Sequence, residues 1–102
     1  MTTLIEVTKT DNELFLIAVP QAGIGSFEIG HITSGFNNPV SYKVVPQSVL
    51  PAGKYTLILI GINWGGPQQF SVTLTTDGGT NPINFGTGTA VGATSTAVAI
   101  TV

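Results

Sequence analysis

The chain has 102 residues, enough for one domain (residues 1–102) and not for two. Charged side chains make up 8% of it, against about 25% in a typical soluble domain. Three lysines, no arginine and five carboxylates give a net charge of −2, too little positive charge for phosphate contacts or guanine readout, so nucleic acid is excluded as a partner. The chain also lacks cysteine, which excludes disulfides, thiol catalysis and Cys-ligated zinc.

Residue choice favours strands throughout. Fifteen Thr, ten Val and ten Ile dominate, and β-branched side chains suit a pleated, half-buried surface. No stretch shows helical periodicity.

The first expected strand is Leu4–Thr8, ended by the turn formers Thr10, Asp11 and Asn12. Glu13–Val19 follows. It is continuously apolar after Glu13, as in a strand covered on both faces. Pro20 to Gly25 is a loop. Ser26–Thr33 alternates loosely, with Phe27, Ile29, His31 and Thr33 expected on one face and Glu28 on the other.

Gly35 to Pro39 is a loop built on Asn37, Asn38 and Pro39. In Val40–Val45, Val40, Tyr42 and Val44 alternate with Ser41 and Lys43. Tyr55–Ile62 is the most hydrophobic segment and belongs in the middle of a sheet. The phrase leading into it, Leu50-Pro51-Ala52-Gly53-Lys54-Tyr55-Thr56-Leu57, resembles the entry to a central strand in jelly-roll and immunoglobulin-like modules. That resemblance covers under a tenth of the chain and bears on fold alone.

Asn63 to Pro67 reverses the chain. Gln68–Thr76 sets Phe70, Val72 and Leu74 against Ser71, Thr73 and Thr75, the pattern of a strand with one wet face. Asp77-Gly78-Gly79 is a hairpin signal and Ile83–Phe85 a short strand. Gly86 to Thr94 reads as a Gly/Thr/Ala connection, and Thr96–Val102 as a final strand without charge. Seven to eight short strands with turn chemistry between them predict an all-β antiparallel sandwich, jelly-roll or immunoglobulin-like.

No catalytic or metal constellation stands out, and no cofactor is implied. His31 is the chain's one imidazole and shares its strand with apolar neighbours. Asp77 to Asn81 lacks the alternating carboxylates and terminal Glu of a calcium loop. Gly86-Thr87-Gly88-Thr89-Ala90-Val91-Gly92 has the wrong spacing for a phosphate loop and leads into a strand, not a helix. No apolar run approaches the roughly 20 residues of a membrane-spanning helix. The start, with Glu6 where an apolar leader core would fall, predicts no signal peptide. The compartment stays open, an extracellular or particle-bound location included.

In a sandwich whose consecutive strands run in opposite directions, alternate loops gather at one end. That end is expected to present Asn12, Phe36, Asn37, Asn38, Asn63 and Trp64, two aromatics among several amides, as a ligand surface on loops. The other end, with its loops at residues 20–25, 46–53 and 77–82, is expected to carry no aromatic.

Three functions compete. The first is a non-enzymatic, self-associating subunit of a fibre, shell or tail, or another homo-oligomer. It rests on two strands apolar on both faces and on a C-terminal strand without charge. The second is a lectin-like, glycan-binding module using the aromatic loop end. The third is a small toxin acting on a membrane surface.

Overall fold

The computed structural model describes residues 3–102; Met1 and Thr2, part of the segment read above for a leader, lie outside the described residues. The chain forms strands β1 (Leu4–Lys9), β2 (Glu13–Pro20), β3 (Phe27–Thr33), β4 (Tyr42–Val44), β5 (Lys54–Asn63), β6 (Phe70–Thr76), β7 (Gly79–Phe85) and β8 (Gly92–Thr101). They make two four-stranded antiparallel sheets, ordered β4-β1-β6-β7 and β3-β2-β5-β8, packed as a β-sandwich. The all-β architecture is the one expected. The strand order is the structure's own: β1 and β2 part at once into opposite sheets.

Period-two alternation builds the core. Ile5 and Val7 of β1 and Phe70, Val72 and Leu74 of β6 face inward from one sheet. Leu14, Leu16 and Ala18 of β2 and Tyr55, Leu57 and Leu59 of β5 meet them from the other. Fully burying one such aliphatic side chain contributes about 1.5–3 kcal/mol. At the heart of one end lies Phe70, fully buried, its ring stacked on Phe85 with centroids 5.2 Å apart. Two glycines make its slot. A Cβ at Gly61 would come within 2.5 Å of the ring, and one at Gly86, whose φ is +73°, within 2.7 Å.

Three strands differ from their expected extents by three residues or more, β6 starts two residues late at Phe70, and the others shift by a residue at one end or both. β4 keeps only Tyr42–Val44, although Val40 still packs on the core. β7 begins at Gly79, because Asp77 and Gly78 alone make the reversal and Gly79 takes φ +123°. Pro82 is tolerated within it because β7 is a sheet edge, where a missing N–H need cost no ladder bond. β8 reaches back to Gly92, taking in residues read as connection.

The expected face of β3 is overturned. A β-bulge opposite Leu16 and Ile17 shifts the register, so that Leu16 pairs with Gly30 but Ile17 with Glu28. The extra residue, Ile29, packs toward the core. Beyond the bulge the parity changes. Glu28 and His31 therefore pair with Ile17 and Phe15 and share the outer face, while Phe27 pairs with the inward Ala18.

Candidate functional site

The expected loop clustering is found. The Trp64 N–H donates to Asn12 Oδ1 at 2.6 Å, and the Ser34 N–H to the Asp11 carbonyl at 3.2 Å. Gln68 ties the same end to the β7–β8 loop, its N–H donating to the Gly88 carbonyl and its Nε2 to that of Thr87.

The predicted residues divide in role. Trp64 is exposed, with 65% of its surface open, so it does not lid the core. Asn37 and Asn38 are exposed, and Phe36 is half-buried with the Lys9 ammonium 5.6 Å from its ring centroid. Asn12 is committed through Oδ1 to the Trp64 backbone. Asn63 is withdrawn from any ligand. It is fully buried, its Nδ2 donates to the Gly66 and Ala90 carbonyls, and its Oδ1 accepts from the Gly65 N–H. Its amide braces the turn that holds Trp64 out. Sequence could not separate these roles, because an Asn that binds and an Asn that braces look alike.

Asp11, beneath this end, is buried, and its Oδ2 has no hydrogen-bond partner. Burial raises its carboxyl above the ordinary aspartate value, partly opposed by a hydrogen bond with the Asn12 backbone. The folded state thus holds the proton more tightly than the unfolded one. The cost of the buried carboxylate is fully present above the folded pKa and gone below the unfolded value of about 3.9. Asp11→Asn should therefore gain stability over the wild type at pH 7, and that advantage should shrink as pH falls toward 4. Urea unfolding at both pH values checks the sign; an advantage that grows on acidification would refute it.

His31 stacks on Phe15, ring centroids 4.1 Å apart, with Nε2 3.0 Å from Glu13 Oε1. Both contacts lie on the outer face of β3 and β2. At the other end of the sandwich, a groove of about 390 Å³ is lined by Pro20, Gln21, Ala22 and Ala52 to Tyr55. That end does carry aromatics, since the Phe27 ring meets Tyr55 edge-on at 6.4 Å and is itself 42% exposed. These rings come from strand termini, which a survey of loops overlooks.

Set beside known proteins, the chain matches no family model, no curated protein and no solved structure.

The two outer faces differ sharply. Sheet β4-β1-β6-β7 turns Glu6, Thr8, Lys43, Thr73 and Thr75 outward, and Lys43 and Glu6 lie 3.7 Å apart. Sheet β3-β2-β5-β8 turns out Phe15, Ile17 and Val19 from β2 beside Ile58, Ile60 and Ile62 from β5. Register aligns them in rows: Phe15 with Ile60 and Ser95, Ile17 with Ile58 and Ala97. These side chains are half-buried by their neighbours on the face, Phe15 by the stacked ring of His31 among them. The expectation that β2 is covered on both faces holds within this chain only for the inner one.

Proposed function

We propose that the protein is a non-enzymatic structural subunit that self-associates through the outer face of sheet β3-β2-β5-β8, as in a fibre, shell or tail. The observation that carries this reading is the apolar cluster of Phe15, Ile17, Ile58 and Ile60 at the centre of one outer face, with Glu13, Thr56 and Glu28 around it, on a sandwich whose other outer face is Thr-rich and carries Glu6 and Lys43.

The occupant that fits is a second copy. A twofold axis along the strands, between β2 and β5, lays β2 of one copy over β5 of the other and β3 over β8. Aliphatic rows then meet aliphatic rows. The bulky His31 and Glu28 meet the small Ala93, Ser95, Ala97 and Ala99, with the ionisable groups left at the rim. Four strands about 4.8 Å apart, eight residues long at about 3.4 Å each, present roughly 500 Å². Two such faces bury about 1,000 Å² together, the lower bound for a specific interface. Support for a role outside catalysis comes from His31, whose ring and Nε2 are engaged by Phe15 and Glu13.

The test is absolute mass by light scattering behind size exclusion, across a concentration series. A multimer supports the reading; a 10.5 kDa monomer at every concentration removes it.

A second reading rests on Trp64, whose exposed ring could stack on a neutral sugar. Its braced turn predicts that Trp64→Ala leaves the fold intact while abolishing retention on immobilised glycans. Unchanged retention, or none by the wild type, would end it.

A further inference from the structure

The four sheet edges are not alike. β3 carries a bulge, Glu28 and His31; β4 is three residues long with Lys43 at its middle; β7 contains Pro82. Charge, bulges, brevity and proline are the means by which edges resist pairing with another chain. β8 has none of them: ten residues, no charge, no proline, and an unbroken register with β5 from Lys54↔Thr101 to Asn63↔Gly92.

The direction of its backbone groups follows from one pair. Gly53 and Val102 exchange both N–H···O=C bonds, each 2.8 Å. Bonded and non-bonded pairs alternate along an antiparallel ladder. Ile100, Val98, Thr96, Thr94 and Gly92 therefore bond to β5, whereas Thr101, Ala99, Ala97, Ser95 and Ala93 turn their N–H and C=O away from it. Thr3 confirms the parity, because its Oγ1 donates to the Thr101 carbonyl at 3.1 Å from that open side. No strand of the described residues pairs there. The open side borders a cleft of about 310 Å³, lined by Val98 and Ala99 on one side and by Leu74, Gly79 and Asn81 on the other.

We propose that β8 pairs edge to edge with β8 of a second copy, antiparallel and centred on Ala97, joining two four-stranded sheets into one of eight. This rests on the reading of the protein as a self-associating subunit. A register centred on Ala97 sets Ala97 against Ala97, Ser95 against Ala99 and Ala93 against Thr101, so the outward backbone groups of Ser95, Ala97 and Ala99 meet their complements, while the Thr101 carbonyl keeps its bond from Thr3. The same residues share the outer face in both copies, so the two aliphatic surfaces lie on the same side of the joined sheet, with the small outward side chains of the paired β8 strands between them. Edge and face are then two different twofold contacts on one chain, and together they carry assembly past the dimer.

Two variants test this. Ala97→Pro removes one outward N–H without touching a bond to β5, a position where an edge strand tolerates proline. Ala97→Cys puts one thiol into a chain that has none, and bonded antiparallel partners, about 5.5 Å apart at Cα, lie within disulfide reach. Expected are a smaller mass for Ala97→Pro with its circular dichroism unchanged, and a covalent dimer of Ala97→Cys under mild oxidant. That dimer should form at least about tenfold faster than from a control, Thr73→Cys, on the polar outer face. If Ala97→Pro does not fold, the cysteine pair decides. A wild-type multimer whose mass survives Ala97→Pro and whose Ala97→Cys form does not cross-link overturns edge pairing and leaves association through the face standing. A wild-type monomer overturns both.

Discussion

Phe70→Ala is expected to lower the unfolding free energy by about 3–5 kcal/mol, a large share of the stability of a small domain. The ring is fully buried, stacked on Phe85, and held between Gly61 of β5 and Gly86 after β7. Truncation leaves a hole that these neighbours cannot fill. Neither glycine offers a side chain to move in, and Phe85 is fixed by its pairing with residue 70 across β6 and β7. Urea unfolding by circular dichroism measures the loss. A change under about 1 kcal/mol would mean that the site collapses freely, against the cost typical of a buried aromatic.

Ile60→Lys is expected to leave the fold intact and to dissociate the assembly, raising the apparent dissociation constant at least about a hundredfold, or roughly 2.7 kcal/mol. Ile60 sits in the centre of the aliphatic face, paired with Phe15 on β2 and Ser95 on β8. In the isolated sandwich a lysine there can run its methylenes along Phe15 and keep its ammonium in water. Between two copies the same ammonium would be buried against Phe15 and the aliphatic side chains of β2 in the second copy, a loss that close packing cannot offset. Light scattering over a concentration series reads the shift, and circular dichroism confirms the fold. Thr73→Lys, on the polar outer face, should leave the mass unchanged. If both variants keep the wild-type mass, this face is not the interface.

Much of the fold was legible in the residues themselves. The wet-faced strand expected over Gln68–Thr76 is β6, and the most hydrophobic segment, expected in a sheet interior, is β5 between β2 and β8. Both follow from local periodicity, which records whether one face or two avoids water. The loop end was legible because turn residues and alternating direction suffice to place it.

The roles of its members were not legible. Asn63 and Asn37 are the same residue type, each in a stretch of sequence rich in turn formers. Only the positions of the Gly66 and Ala90 carbonyls make the first a brace, while the second is open to solvent. The bulge in β3 was hidden for a related reason. An extra residue in one strand is defined by what stands opposite, and nothing within Ser26–Thr33 states that Glu28 will meet Ile17.

Residue choice and local alternation establish that the chain is all-β, poor in charge and richer in apolar strand surface than one two-layer core consumes. Those are properties of side chains one by one, or of neighbours two apart. Tertiary structure decided that the surplus of β2 and the surplus of β5 fall side by side on one outer face, and that the one unguarded strand lies at its border. Strand order and register are set by partners far apart in the chain. An apolar face and an open edge come into being only when those partners meet.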